Sequence, residues 1–256
     1  MSRLVLVLLV ACGKHDDDAP RAGAAPVAAP NATADALALP LATGDPIGTA
    51  TTYLRFAAGA LVEIDRASVF GDRGKPFSAL DDRGTLTAPF GTFAPAGPHD
   101  PFPVASPTAV FADRTTLAAP LRAATGTLLR DHCWGFAVAD HGKLELLQPT
   151  PCPPAARSYD QVNLDLEVMA AGTATARLST ASERTPLASP DALMAFLAQQ
   201  KATPTFAGRT DLAISFDAQA TVATVVDALA RAHAAGFTSA AWAAAPPAAR
   251  PADVTR

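Results

Sequence analysis

The sequence predicts an α+β protein made of two small two-layer domains, each with the element order β-β-α-β-α-β. Its apolar segments are short and bounded by Asp, Gly, Arg or Pro, which is typical of strands. Apolar residues at helical spacing recur between these segments. The chain of 256 residues holds 23 Pro but only 12 Phe, 2 Tyr and 2 Trp, so we expect two small domains rather than one large barrel.

The N-terminus is typical of a bacterial lipoprotein signal. Arg3 precedes the apolar run Leu4–Ala11, and Cys12 follows small residues. We therefore expect residues 1–12 to be a lipoprotein-type signal, with Cys12 lipidated and the protein anchored on the periplasmic side of the cell envelope. A plain cleaved signal or a short buried strand is the alternative. Residues 13–48, rich in Ala, Asp and Pro, are predicted to be a disordered tether.

A β-hairpin is predicted between the other two cysteines. Residues 134–139 and 143–148 read as strands, and His141-Gly142 reads as the turn between them. Cys133 lies just before the first strand and Cys152 lies after the second, so both lie at the open end of the hairpin. The predicted compartment permits disulfides. The spacing favours a structural disulfide between them.

The residues allow two other interpretations of the cysteine region. His132, Cys133, His141 and Cys152 could form a metal site, but the hairpin separates His141 from His132 by roughly 20 Å of strand. His132 and Cys133 could form a nucleophile pair, but adjacent strand residues point to opposite faces. Both interpretations are disfavoured.

The first domain is expected over residues 49–148, before a proline-rich linker at residues 149–157. It contains the predicted strands 61–64, 68–70 and 108–112, the last ending at Asp113, and a helix over 117–130.

The second domain is expected over residues 158–245, followed by a disordered tail at 246–256. Its predicted strands are 162–168, 174–179, 211–216 and 237–243. Helices are predicted from Pro190 to about Lys201 and from Val222 to Gly236. Asp113 and Asp217 each end a strand before a helix, where a carboxylate would pair with helix amides.

The second domain resembles the periplasmic domain of the ExbD/TolR family. The resemblance lies in Leu212 to Asp217, the helix bearing Val222, Val225, Val226 and Leu229, and Ala235-Gly236-Phe237 at the start of the last strand. The family pairs with ExbB/TolQ-type proteins in proton-driven envelope motors. The resemblance implies an envelope protein of an ExbB/TolQ- or TonB-like system as partner. Asp217 and the following loop are a candidate partner surface, as the alternative to the structural role given above.

The first domain resembles a degenerate copy of the second. Val110-Phe111-Ala112-Asp113 parallels Ile214-Ser215-Phe216-Asp217. Family domains of this kind work as dimers, so the tandem pair would form a pseudo-dimer within the chain; a homodimer is the other expectation. The family's transmembrane helix with its acidic residue has no counterpart here, so the resemblance does not imply proton coupling by this chain.

These features predict a non-enzymatic envelope lipoprotein that binds an envelope protein, or alternatively cell-wall glycan, and is linked to a biopolymer transport complex. The net charge of −4 leaves no basic excess for nucleic acid. The sequence contains no G-x-S-x-G, no H-E-x-x-H and no pair of C-x-x-C motifs, so neither catalysis nor a cofactor is expected. The alternative is a secreted or envelope hydrolase whose site the sequence does not display.

Overall fold

A computed structural model describes residues 35–70, 79–90, 95–96, 106–129, 132–149, 152 and 161–242. The described residues belong to one compact unit. The predictions about the signal, Cys12, the first part of the tether, the C-terminal tail and most of the linker lie outside the described residues.

The described residues form fourteen strands and four α-helices, which confirms the α+β class. The strands are β1 (Asp35–Ala38), β2 (Asp45–Pro46), β3 (Thr52–Ala57), β4 (Ala60–Glu63), β5 (Ala79–Leu80), β6 (Thr85–Ala88), β7 (Thr108–Phe111), β8 (Trp134–Asp140), β9 (Lys143–Leu147), β10 (Leu164–Val168), β11 (Ala174–Leu178), β12 (Thr185–Leu187), β13 (Asp211–Phe216) and β14 (Ser239–Trp242). The helices are α1 (Arg66–Phe70), α2 (Ala118–Leu128), α3 (Pro190–Lys201) and α4 (Val222–Ala234).

The first large sheet has the strand order β2-β9-β8-β7-β3-β4. Its centre is parallel, because β7 pairs in parallel with both β3 and β8. All four residues of β7 are buried, as expected of a parallel strand that is covered on both faces. The predicted β8–β9 hairpin is present, and its turn residues His141 and Gly142 both have positive φ, as a tight two-residue turn requires.

The second large sheet has the strand order β12-β11-β10-β13-β14. The strict alternation of β10 appears as alternating buried and half-buried residues. On α4, the four apolar side chains singled out from the sequence, Val222, Val225, Val226 and Leu229, are all buried. Gly236 follows α4 with φ +90, the left-handed conformation that ends many helices.

A third, small sheet has the order β1-β6-β5 and contradicts part of the predicted tether. Leu37 and Leu39 are buried, and β1 pairs with β6 along its full length. The prediction of disorder is therefore wrong for residues 35–48. A few leucines among many alanines were enough to add a strand, because β6 supplies a partner that local composition does not reveal.

Two elements also differ from the sequence-based prediction. Residues 68–70 were expected to be a strand but belong to the short helix α1. The second sheet contains the additional edge strand β12, whose Pro186 made it unrecognisable as a strand. Neither change alters the order of the strands that follow.

The two large sheets share one hydrophobic core. A single cluster of buried residues contains Leu54 and Phe136 of the first sheet together with Leu166 and Leu229 of the second part of the chain. A second cluster, containing Leu37 and Phe111, lies between the other face of the first sheet and the small sheet. Within the described parts of the chain, no helix has the length and apolarity needed to cross a bilayer.

Candidate interaction site at two equivalent strand ends

The two large sheets contain the same four-strand arrangement. In the first, β4 and β3 form a hairpin, and β3, β7 and β8 run parallel. In the second, β11 and β10 form a hairpin, and β10, β13 and β14 run parallel. We call β3, β4, β7, α2 and β8 the first module, and β10, β11, β13, α4 and β14 the second module.

The register of the strands agrees between the two modules. Val110 of β7 lies opposite Leu54 and Phe136, and Ile214 of β13 lies opposite Leu166 and Trp242. Counting onward from this pair, Asp113 corresponds to Asp217 with a constant offset of 104 positions.

The same offset relates the helices that follow. Ala118, the first residue of α2, corresponds to Val222, the first residue of α4. Leu121 and Thr125 are buried on α2, and their counterparts Val225 and Leu229 are buried on α4. The two helices therefore turn equivalent positions towards the core.

A reciprocal pair of hydrogen bonds joins the modules at the start of these helices. The amide of Ala118 donates to the carbonyl of Ala220 at 2.8 Å, and the amide of Val222 donates to the carbonyl of Thr116 at 2.8 Å. The offset of 104 positions converts the donor and acceptor of each bond into those of the other. Such reciprocity is characteristic of a two-fold, isologous contact. Leu117 and Thr221 form an antiparallel bridge at its centre.

These bonds correct one prediction about the two aspartates. The carboxylates of Asp113 and Asp217 were expected to pair with helix amides, but each accepts the amide two residues ahead, in the turn before the helix. The first amides of α2 and α4 are bound by carbonyls of the opposite module instead. At the first amide of each helix, a contact between distant segments thus takes the place of the aspartate cap that the sequence suggests.

In the first module, the turn after β7 holds the N-terminal segment. Asp113 Oδ2 accepts the amide of Ala38 at 3.1 Å, and the amide of Arg114 donates to the carbonyl of Ala38 at 2.7 Å. Asp113 Oδ1 also accepts the amide and the hydroxyl of Thr115 at 2.9 and 2.6 Å. Partial burial favours the neutral carboxyl, but these hydrogen bonds and the nearby Arg114 charge outweigh burial and lower the pKa of Asp113.

In the second module, the equivalent turn holds no such segment among the described residues. Asp217 Oδ1 accepts the amide of Gln219 at 2.7 Å, and Asp217 is half-buried. Ala218, the counterpart of Arg114, is exposed. Asp217, the predicted partner-surface residue, thus lies at the surface with its turn already ordered.

The sulfurs of Cys133 and Cys152 lie at disulfide distance, and their Cα atoms are 5.2 Å apart. Cys133 is completely buried immediately before β8. Across the described residues, no three His, Cys, Asp or Glu side chains are arranged to hold a metal ion. The alternative metal site of the sequence analysis would need the same two cysteines, and His141 of that set is exposed in the hairpin turn.

His233 is half-buried near the end of α4, and its Nε2 lies 3.1 Å from the carbonyl oxygen of Thr238. With Asp45 and Leu146 it lines an open cavity of about 300 Å³ between α4 and the first sheet. The sequence showed neither this cavity nor the contact of Ala38 with Asp113, because both join segments more than 70 residues apart.

Comparisons of the chain with protein-family models, with curated proteins and with solved structures find no match.

Proposed function

We propose that this protein is a non-enzymatic lipoprotein of the bacterial cell envelope that binds another envelope protein through two ExbD/TolR-like modules. The lipid on Cys12 would hold the chain at the membrane on its periplasmic side. The partner would belong to an ExbB/TolQ- or TonB-like system, so the protein would act within a proton-driven biopolymer transport complex. The modules would pair within one chain as a pseudo-dimer.

The matched strand order and register of the two modules, related by the reciprocal bonds of Ala118 and Val222, is the observation that carries this proposal. A two-fold pair of binding modules in one polypeptide is an arrangement suited to recognition, because it fixes two equivalent surfaces at a set spacing without the entropy cost of assembling two chains. The sequence resemblance of the second module supplies the class of partner.

The anchor is tested by cell fractionation. With Cys12→Ser, the full chain should move from the membrane fraction to the soluble periplasmic fraction, whereas the control Ser2→Ala should stay in the membrane fraction. If Cys12→Ser leaves the protein in the membrane fraction, the lipoprotein assignment is wrong.

The partner class is tested by co-expression of the tagged full chain with an ExbB/TolQ-type protein from the same organism. The two should co-purify from detergent after periplasmic cross-linking, and an unrelated membrane protein expressed to the same level should not. Failure to co-purify with any ExbB/TolQ- or TonB-type protein of that organism would refute the proposed link to biopolymer transport.

A further inference from the structure

We infer that Asp217 and Ala218 form a docking site for an extended segment of a partner polypeptide. The inference rests on the proposed binding function and names the surface and the kind of ligand. Its basis is that the first module already holds such a segment at the corresponding residues, Asp113 and Arg114.

The first module shows how the site works. Ala38 lies at the end of strand β1 and presents both of its backbone groups to the turn after β7. Its amide donates to Asp113 Oδ2 at 3.1 Å, and its carbonyl accepts the amide of Arg114 at 2.7 Å. The turn therefore binds the backbone of one extended residue through two hydrogen bonds. A sheet edge binds an added strand through the same kind of backbone bonds.

The second module has the same groups in the same order. Asp217 and Ala218 correspond to Asp113 and Arg114, and both turns place the aspartate Oδ1 on the amide two residues ahead, at 2.9 Å in one and 2.7 Å in the other. With Oδ1 engaged in this way, Asp217 Oδ2 is the oxygen that corresponds to the acceptor of the Ala38 amide in the first module.

The ligand groups of the second turn are available. No described residue donates a hydrogen bond to Asp217 Oδ2 or accepts one from the Ala218 amide. Ala218 and Gln219 are exposed, whereas Arg114 is half-buried. The reciprocal helix contact holds both turns in place, so the site needs no rearrangement before it binds.

The bound segment of the first module indicates the chemistry of the partner. Ala38 is small and is flanked by Leu37 and Leu39, which are buried. Both hydrogen bonds use its backbone, so no charged side chain is needed for recognition. The expected ligand is an extended peptide with a small residue at the position equivalent to Ala38, and not a helix.

The test is an NMR titration of the ¹⁵N-labelled full chain, carrying Cys12→Ser for solubility, with the capped peptide DALALPL. This peptide has the sequence of residues 35–41, the one ligand known to fit such a turn. The amide resonance of Ala218 should shift saturably at millimolar peptide. The same peptide N-methylated at its second alanine should bind about tenfold more weakly, because that nitrogen can no longer donate to Asp217.

A protein variant provides the matching control. Asp217→Asn keeps the acceptor for the Gln219 amide, so the fold should persist, but it replaces the second carboxylate oxygen with an amide that cannot accept. Peptide affinity should fall about tenfold. Asp227→Asn, which alters a carboxylate on α4, should leave the affinity unchanged.

Three results would overturn the site: no saturable shift at Ala218, equal affinity for Asp217→Asn, or shifts at Arg114 and residues 35–38, which would mean that the peptide displaces the N-terminal segment instead. These readouts come from the purified protein alone. If the peptide does not bind but an ExbB/TolQ-type protein still co-purifies, the docking site is refuted and the proposed function stands. If the peptide binds but no such protein co-purifies, only the proposed class of partner is refuted.

Discussion

The turn after β7 and the turn after β13 have the same backbone pattern but different occupancy. Asp113 and Arg114 bind Ala38, and this contact helps to attach the small sheet β1-β6-β5 to the first module. No described segment from elsewhere in the chain forms a hydrogen bond with Asp217 Oδ2 or with the Ala218 amide. The same type of turn thus binds a segment of the chain itself in the first module and is exposed in the second. The N-terminal segment fills the turn of the first module.

The helices of the two modules differ in how they fill the core. Leu229 on α4 and its counterpart Thr125 on α2 are both buried, but Thr125 is polar and its hydroxyl donates to the carbonyl of Leu121 at 3.0 Å. The second module therefore gains more apolar burial at this position. The predictions below test this comparison in order of expected effect.

The largest effect is expected for Leu229→Ala. Removal of a completely buried leucine should lower the free energy of unfolding by about 2 to 5 kcal/mol. Thr125→Ala at the equivalent position should cost about 1 kcal/mol, because it loses one internal hydrogen bond and little apolar area. Urea denaturation followed by circular dichroism measures both variants.

The exposed residue Gln199 on α3 provides the control, and Gln199→Ala should change stability by less than about 0.5 kcal/mol. Because one core cluster contains residues of both modules, the unfolding transition should be single. Two separate transitions, or equal losses for Leu229→Ala and Thr125→Ala, would contradict the comparison of the helices.

The next effect concerns Cys133 and Cys152, which have no counterpart in the second module. Thiol labelling of the denatured, unreduced protein should find both sulfurs blocked. Their separation of 19 residues implies a loss of roughly 3 kcal/mol on reduction, from the chain-entropy estimate. Two free thiols would show that the pair is not oxidised and would reopen the metal and nucleophile interpretations.

A smaller effect is expected for Asp113→Asn. The asparagine cannot offer acceptors both to Thr115 and to the amide of Ala38, so the N-terminal segment should be held less tightly, at a cost of about 1 to 2 kcal/mol at pH 7. Native-state hydrogen exchange at residues 35–38 should increase in parallel.

The pH dependence of this loss follows from the lowered pKa of Asp113. A carboxyl with a lower pKa in the folded state contributes stability above its unfolded pKa of about 3.9, and this contribution disappears as the pH falls through the folded value. The difference between wild type and Asp113→Asn should therefore be constant near neutral pH and shrink below about pH 4. A difference that grows on acidification would contradict the assigned role of the carboxylate.

Local patterns predicted the second module well. The alternation of residues 162–168, the Ser189-Pro190 cap and the apolar face of α4 each specify their element within a short window, and the structure contains all three. The β8–β9 hairpin was predicted for the same reason, because His141 and Gly142 supply the turn chemistry locally.

The remaining features depend on partners distant in sequence. Strand β1 exists because β6 pairs with it, and the first amides of α2 and α4 are satisfied only across the modules. Nothing in the sequence near Asp113 indicates that Ala38, 75 residues earlier, binds its carboxylate. The candidate site could be placed at Asp217 from the strand ending alone, but its ligand chemistry emerges only from the comparison with the first module.

The smallest effect separates the starts of α2 and α4. Thr221 caps α4 by accepting the amide of Thr224, so Thr221→Ala should cost about 1 kcal/mol. The equivalent residue of α2 is the half-exposed Leu117, and the equivalent of Thr224 is Pro120, which has no amide hydrogen. Leu117→Thr should therefore change stability by less than about 0.5 kcal/mol, despite adding a favoured capping residue.

A double substitution resolves the cause. Pro120→Ala restores the missing amide, and in that background Leu117→Thr should raise the free energy of unfolding by about 0.5 to 1 kcal/mol. Comparison of this value with the effect of Leu117→Thr in the wild type completes a double-mutant cycle. If Leu117→Thr stabilises equally with and without Pro120, the proline is not what prevents capping. The reciprocal bonds of Ala118 and Val222 would then have to explain why α2 starts where it does without a side-chain cap.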